Sequence, residues 1–298
     1  MKYFTTTITM LIAITLLMTT LTTKAQQQGI EFGIFSTNPN DYQIDKMKIQ
    51  HYFTTWNDKE LDQTRNQINM LNLSGKQALL TVEPWPEYGE WNSRELFLTN
   101  IVEGRYTNHI ARLCTYIQSN FNRNIILRWG HEMELTDVSI YPWVSKDNNL
   151  FIQAYKKWVD TCKQYTNKVS FMWSPSGNNG NEKYYPGDNY VDIIGFSWYS
   201  YPAYEWYSYN TILDFGTIMD WKYNKLKQYN RPIIAAEFGM AEQNKTNIKN
   251  ELYNQQNIKN KYPLLQSIVF FSDRTQSWIP NVISAPDWTI DSQFLRGL

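Results

Sequence analysis

Short runs rich in aliphatic, β-branched and aromatic residues recur eight times along the chain, at residues 29–36, 49–56, 77–85, 124–132, 168–174, 191–199, 232–239 and 266–272. Most are unbroken apolar stretches rather than alternating ones, the pattern of parallel strands covered on both faces. Between several of them, at 61–71, 110–117, 151–165, 212–229 and 248–258, apolar residues recur at helical spacing. Strand and helix repeating about eight times predict an α/β fold closed into a single (β/α)8 TIM barrel. A doubly wound open sheet is the rival, but no glycine-rich phosphate turn follows the first run. After the fifth run the sequence Ser174-Pro175-Ser176-Gly177-Asn178-Asn179-Gly180 has turn chemistry that continues to Gly187-Asp188, so the fifth helix is expected to be degenerate.

Residues 1–25 read as a cleavable signal peptide: Lys2, an apolar and Thr-rich run at 8–21, then a small residue, Ala25, after which cleavage is expected. The apolar run is too short for a membrane span. The expected location is therefore secreted or periplasmic, with residues 26–298 as one catalytic domain and no membrane insertion after cleavage. Twenty-eight Lys and Arg balance 28 Asp and Glu, which gives no electrostatic case for nucleic acid or an anionic membrane and favours a neutral partner. Twelve Trp and 21 Tyr could supply flat faces for sugar rings, although aromatics also fill cores. Cys114 and Cys162 sit in segments read as helices; export permits a disulfide, but two separate buried thiols are the plainer expectation. His51, His109 and His131 show no metal-ligand spacing. His131-Glu132 begins like H-E-x-x-H, but Leu135 stands where the second His is required. No metal or cofactor is expected, and the chain is expected to be a monomer.

In such barrels reactive groups sit at the C-terminal ends of strands. The fourth run ends Arg128-Trp129-Gly130-His131-Glu132, and the seventh ends in a lone acidic residue, Glu237, in an apolar setting. With strands about 4.8 Å apart and tilted about 36°, the barrel radius is near 7 Å and strands four and seven lie about 13 Å apart across the rim. Two inward glutamates would then leave their carboxyls roughly 5 Å apart, the spacing of retaining glycosidases. Either glutamate alone reads almost as well as a rim carboxylate paired with a base such as Arg128. Glu83 reads as scaffold hydrogen bonding and Glu134 as a loop or substrate contact.

At these residues the chain resembles glycoside hydrolase family 26, within the large clan of (β/α)8 retaining glycosidases that includes β-mannanases. Arg128-Trp129-Gly130-His131-Glu132-Met133 is similar to the family's acid/base segment R-x-x-H-E-M. Thr81-Val82-Glu83-Pro84-Trp85, Gly104-Arg105-Tyr106, Trp173-Ser174-Pro175, Tyr199 and Glu237-Phe238-Gly239 fall in the family's order. The resemblance implies a glycosidase in which Glu132 is the general acid/base and Glu237 the nucleophile. By it His131 contacts substrate or nucleophile, Tyr199 donates a hydroxyl to the nucleophile, and Arg128 and Trp173 line the floor. The implied reaction is double displacement on a β-linked polysaccharide, a β-mannan or a related β-1,3/1,4-glucan-type polymer, cut internally.

Two departures fall at the sugar-binding face. Met133 is followed by Glu134-Leu135-Thr136-Asp137 where many mannan-cleaving members have Asn-Gly, and Ser197 replaces the Asp expected two residues before Tyr199. Trp85, Trp143, Trp198 and Trp278 are candidate sugar platforms, with Trp91 and Trp206 also in loop or strand-end positions. A glycan-binding barrel without catalysis, a glycosidase of a bacterial exopolysaccharide, and a hydrolase of another bond remain alternatives. The last is weakened by the lack of a G-x-S-x-G elbow.

Overall fold

Eight parallel strands close on themselves in sequence order: β1 (Glu31–Ser36), β2 (Met47–Thr55), β3 (Gln77–Glu83), β4 (Ile125–Trp129), β5 (Val169–Trp173), β6 (Ile193–Ser200), β7 (Ile233–Met240) and β8 (Leu265–Ser272), with β1 paired to β8. The computed structural model describes residues 29–136, 141–241, 244–273 and 286–298, without side-chain positions for residues 58–64, 67 and 91. The expected signal segment 1–25, Asp137 and Trp278 lie outside the described residues, as does the side chain of Trp91. Each strand falls within about three residues of its expected position, because burial on both faces wrote it as an unbroken apolar run.

Helices surround the barrel: α1 (Asp58–Ser74), α2 (Arg94–Val102), α3 (Thr107–Asn120), α4 (Asn148–Lys163), α5 (Pro202–Tyr209), α6 (Phe215–Leu226), α7 (Asn244–Leu252), α8 (Gln255–Lys261) and α9 (Ser292–Arg296). α4 shows why they form where they do. Asp147 caps it by accepting from the Leu150 amide, and Phe151, Ala154, Tyr155, Trp158, Val159 and Cys162 recur on the buried face. The connection after β5 holds only two short 3-10 turns, Asn181–Tyr184 and Asp188–Tyr190, so the fifth helix is degenerate as its turn residues foretold. The stretch 248–258, expected as one helix, is broken: α7 ends at Leu252, and Asn254 caps α8 by accepting from the Asn257 amide.

Two layers of core result. Ile49, Leu79, Ile126, Met172, Ile234, Ala236 and Val269 fill the barrel, while a larger cluster packs the outer strand faces against the helices. Each such large aliphatic side chain contributes roughly 1.5–3 kcal/mol. The cysteines overturn the expectation of separate thiols. Barrel closure sets α3 beside α4, brings Cys114 and Cys162 to a Cα separation of 5.4 Å, and a disulfide joins them in this outer core.

Candidate active site

β4 does not simply end; it folds sharply back. Gly130 and Glu132 both take left-handed backbone angles, φ 55° and 56°, and the Glu132 amide donates to the Ser174 carbonyl at the end of β5 (2.9 Å). For a residue with a Cβ this conformation costs on the order of 1–2 kcal/mol, a strain held by the surrounding structure. The turn throws His131 and Glu132 toward the mouth of the barrel.

Across the rim Glu237 projects inward from β7, almost fully buried. Arg128 Nη1 donates to its Oε1 and the Tyr199 hydroxyl donates to its Oε2. Arg128 is wholly enclosed and each of its guanidinium nitrogens is engaged: Nε donates to Ser174 Oγ (2.8 Å), Nη1 also to Thr81 Oγ1 (3.3 Å), and Nη2 to Ser197 Oγ (3.0 Å). It therefore lies beneath the carboxylate rather than against a sugar, correcting its expected place among substrate contacts. Tyr199 reaches Glu237 because Gly239, its register partner on β7, has no side chain; a Cβ there would stand 2.4 Å from the tyrosine ring.

Burial and charge act on the Glu132 carboxyl. Desolvation, then repulsion from Glu237, push the Glu132 carboxyl up to about 7, against the lowering pull of Arg128. A carboxylic acid that keeps its proton near neutrality thus faces a carboxylate held by a cation and a phenol. His131 Nε2 lies 4.0 Å from Glu237 Oε1, and its Nδ1 has no hydrogen-bond partner among the described residues. Burial, with the charges of Arg128 and then His51, holds His131 well below the usual histidine range, so it stays neutral. His51 is neutral for the same first reason and meets Thr81 Oγ1 at 2.7 Å.

Of the expected platforms, Trp85 is partly accessible, its ring 5.5 Å from Trp143 and 6.2 Å from Tyr141. Trp143, Trp173 and Trp198 are corrected. Trp143 is fully buried, stacked under Tyr141 at 4.4 Å, with Nε1 donating to the His131 carbonyl. Trp173 faces out of the barrel onto Tyr185 and Tyr229, not into its floor. Trp198 lies between inward-facing Ser197 and Tyr199, so strand alternation sends it outward to Trp221 and Lys222. Glu134 proves to be scaffold: its Oε1 accepts from Ser176 Oγ, the Gly177 amide and the Asn178 amide, and Lys222 Nζ secures the same loop through the Ser176 carbonyl (2.8 Å). Glu83 accepts from Trp85 Nε1, the scaffold role its position suggested.

Sequence reading missed Tyr141, whose ring packs 5.1 Å from His131 and whose phenol is raised by burial and then by Glu132 and Glu237. It also missed the hydroxyls of Thr81, Ser174 and Ser197 around Arg128. Among the described residues no cluster of His, Cys, Asp and Glu could hold a metal ion. The arrangement can protonate a leaving group on one side of a bound ring and attack from the other.

Residues 100–285 match the model for glycosyl hydrolase family 26. Endoglucanase H of Acetivibrio thermocellus is 27% identical over 83% of this chain and 26% of its own length, so the chain spans about a quarter of that relative. Among solved structures, a family 26 β-mannanase from Bacteroides ovatus superposes with a TM-score of 0.59 at 15% identity, covering 83% of this chain and 82% of that one. The YdhT protein from Bacillus subtilis gives 0.59 at 19% identity, covering 82% and 80%. These two share the barrel.

Proposed function

Since the chain belongs to glycosyl hydrolase family 26 and is a glycoside hydrolase, we propose that it is exported and cleaves a neutral β-linked polysaccharide internally, a β-mannan or a β-1,3/1,4-glucan, with retention of anomeric configuration. The carrying observation is the pairing of a proton-retaining Glu132 with a Glu237 carboxylate gripped by Arg128 and Tyr199, at the C-terminal ends of strands on opposite sides of the barrel.

In this reading Glu132 gives its proton to the glycosidic oxygen as the bond to the anomeric carbon breaks, and Glu237 Oε attacks that carbon to form a glycosyl ester. Glu132, now a carboxylate, takes a proton from water, and the oxygen of that water displaces Glu237. Arg128 and Tyr199 hold the nucleophile to one orientation throughout, and neutral His131 offers a hydrogen bond without adding charge. The partly accessible rings of Tyr141, Trp85, Phe35 and Phe53 give the mouth an uncharged, aromatic lining suited to sugar faces. The pattern of residues 1–25 and the buried disulfide both support export.

The test is hydrolysis of mannan, mixed-linkage glucan, curdlan and xylan by purified protein, with the anomer formed first followed by NMR. Initial β-product, and loss of turnover with retained polymer binding in Glu237→Gln, are expected. An initial α-product or full activity in that variant overturns the mechanism.

A further inference from the structure

Just past β6 the chain turns at Tyr201 into α5, and this helix carries aromatic side chains that packing leaves uncovered. Trp206 is 59% exposed, Tyr207 72% and Tyr209 43%; Trp221 on neighbouring α6 is 39% exposed, with its ring 5.5 Å from Tyr209. Single exposed aromatics are ordinary; here Trp206 and Tyr209, three residues apart, share one side of the helix with Trp221 beside them, and Tyr207 projects at its flank.

Two observations say what kind. Residues 202–213 contain one charged side chain, Glu205, and it is buried, accepting from Ser200 Oγ (2.8 Å), the Leu213 amide (2.8 Å) and Asn244 Nδ2 (3.1 Å). Glu205 thus pins α5 to the end of β6, and the residues that α5 leaves exposed are uncharged and rich in indole, phenol, hydroxyl and amide groups. No Lys or Arg in the segment could seek a phosphate backbone or an anionic lipid surface. The helix is also tied to the site through a buried aromatic cluster. Tyr199, which grips Glu237, packs 5.2 Å from Trp288; Trp288 lies 6.1 Å from Tyr201; Tyr204 joins that cluster and meets Tyr209 at 6.5 Å.

We propose that α5 and Trp221 form a second carbohydrate-binding face, which grips the same neutral polymer several sugar units from the cleaved bond. The inference rests on the glycosidase reading for the identity of the polymer but not for its own test. Preformed aromatic platforms lose little freedom on binding, so stacking there adds directly to affinity.

The experiment compares wild type with Trp206→Ala/Tyr207→Ala, both shown to be folded by near-ultraviolet circular dichroism. Their retention is measured in native gels containing soluble mannan, mixed-linkage glucan or xylan, together with the ratio of kcat/KM on the polymer to kcat/KM on the shortest cleavable oligosaccharide. Retention by at least one polymer, weakened roughly tenfold or more in the double variant, is expected, with a matching fall in the kinetic ratio and partial recovery in Trp206→Phe/Tyr207→Phe. Unaltered retention, an unaltered ratio, or no retention of wild type by any polymer overturns the proposal. Retention that depends on these residues without any hydrolysis would leave the binding face standing and the hydrolase reading fallen; hydrolysis with unaltered retention would do the reverse.

Discussion

The Arg128 guanidinium and the Glu237 carboxylate form a buried ion pair at the mouth of the barrel, with Thr81, Ser174 and Ser197 accepting from the arginine's three nitrogens. Such a pair is costly to break from one side, because the survivor is left as an uncompensated buried charge. Arg128→Met is expected to lower stability by about 3–5 kcal/mol in urea unfolding. Arg128→Met/Glu237→Gln should recover part of that loss, and a double variant no more stable than the single one would dissociate the cost from charge.

Glu132 sets a pH dependence of both activity and stability. In the proposed mechanism its acid form protonates the leaving group, so kcat/KM should fall on the alkaline side with an apparent value near 7. For stability the sign follows from proton counting. The folded carboxyl, raised from 4.5 to about 7, binds more proton than the unfolded one between those values, so wild type loses stability as pH rises through the window, by up to about 1.4 kcal/mol per pH unit. Glu132→Gln has no such proton. Its stability relative to wild type should climb from pH 4.5 to pH 7, and a flat difference in thermal unfolding would contradict the raised value.

The left-handed backbone at Glu132 gives a separate prediction. Asn tolerates that conformation better than Gln does, so Glu132→Asn should be more stable than Glu132→Gln by on the order of 1 kcal/mol, both being inactive as acids. Equal unfolding midpoints would place no strain at this turn.

The disulfide between α3 and α4 spans 48 residues. Its removal in Cys114→Ser/Cys162→Ser should cost roughly 3–4 kcal/mol by release of loop closure in the unfolded chain. Urea curves with and without reductant check this, and wild type under reductant should approach the double variant.

Glu134 and Lys222 both fasten the loop after β5, whose Ser174 carbonyl holds the Glu132 amide. Glu134→Ala removes three hydrogen bonds from that loop and should reduce kcat about tenfold to a hundredfold by displacing Glu132, the proposed acid. Polymer affinity in gels should change little. Lys222, buried and lowered to about 8 by desolvation, should be replaceable by Met only with a similar loss in kcat.

The barrel was legible because its signal is repetitive: eight two-sided strands each announce themselves as an unbroken apolar run. The strand ends were legible for a related reason, since Arg128, His131, Glu132 and Glu237 are polar interruptions at the close of such runs. Side-chain direction was harder. Trp198 stands between two inward residues, and the alternation that sends it outward shows only once Tyr199 is known to face in. Trp173 and Trp143 offered the composition of a sugar platform, but Tyr185, Tyr229 and Tyr141 cover them, and those neighbours are set by folding. The hydroxyls around Arg128 come from three different strands, Thr81, Ser174 and Ser197, and nothing local in the sequence joins them. The disulfide was hidden likewise, because a spacing of 48 residues does not reveal that two helices are neighbours.

The two sides of the rim therefore have unequal latitude to drift. Residues 174–178 are hitched at once to the amide of one glutamate, the counter-ion of the other, and two outlying charged side chains, so an insertion there would unseat everything together. The helix after β6 is fastened to the cylinder by Glu205 and by the packing of Tyr201 and Tyr204, and its outer residues could be exchanged wholesale while those anchors stay. On the proposed reading, a lineage built on this frame can change the polymer it grips at α5 and keep its chemistry intact on the other bank.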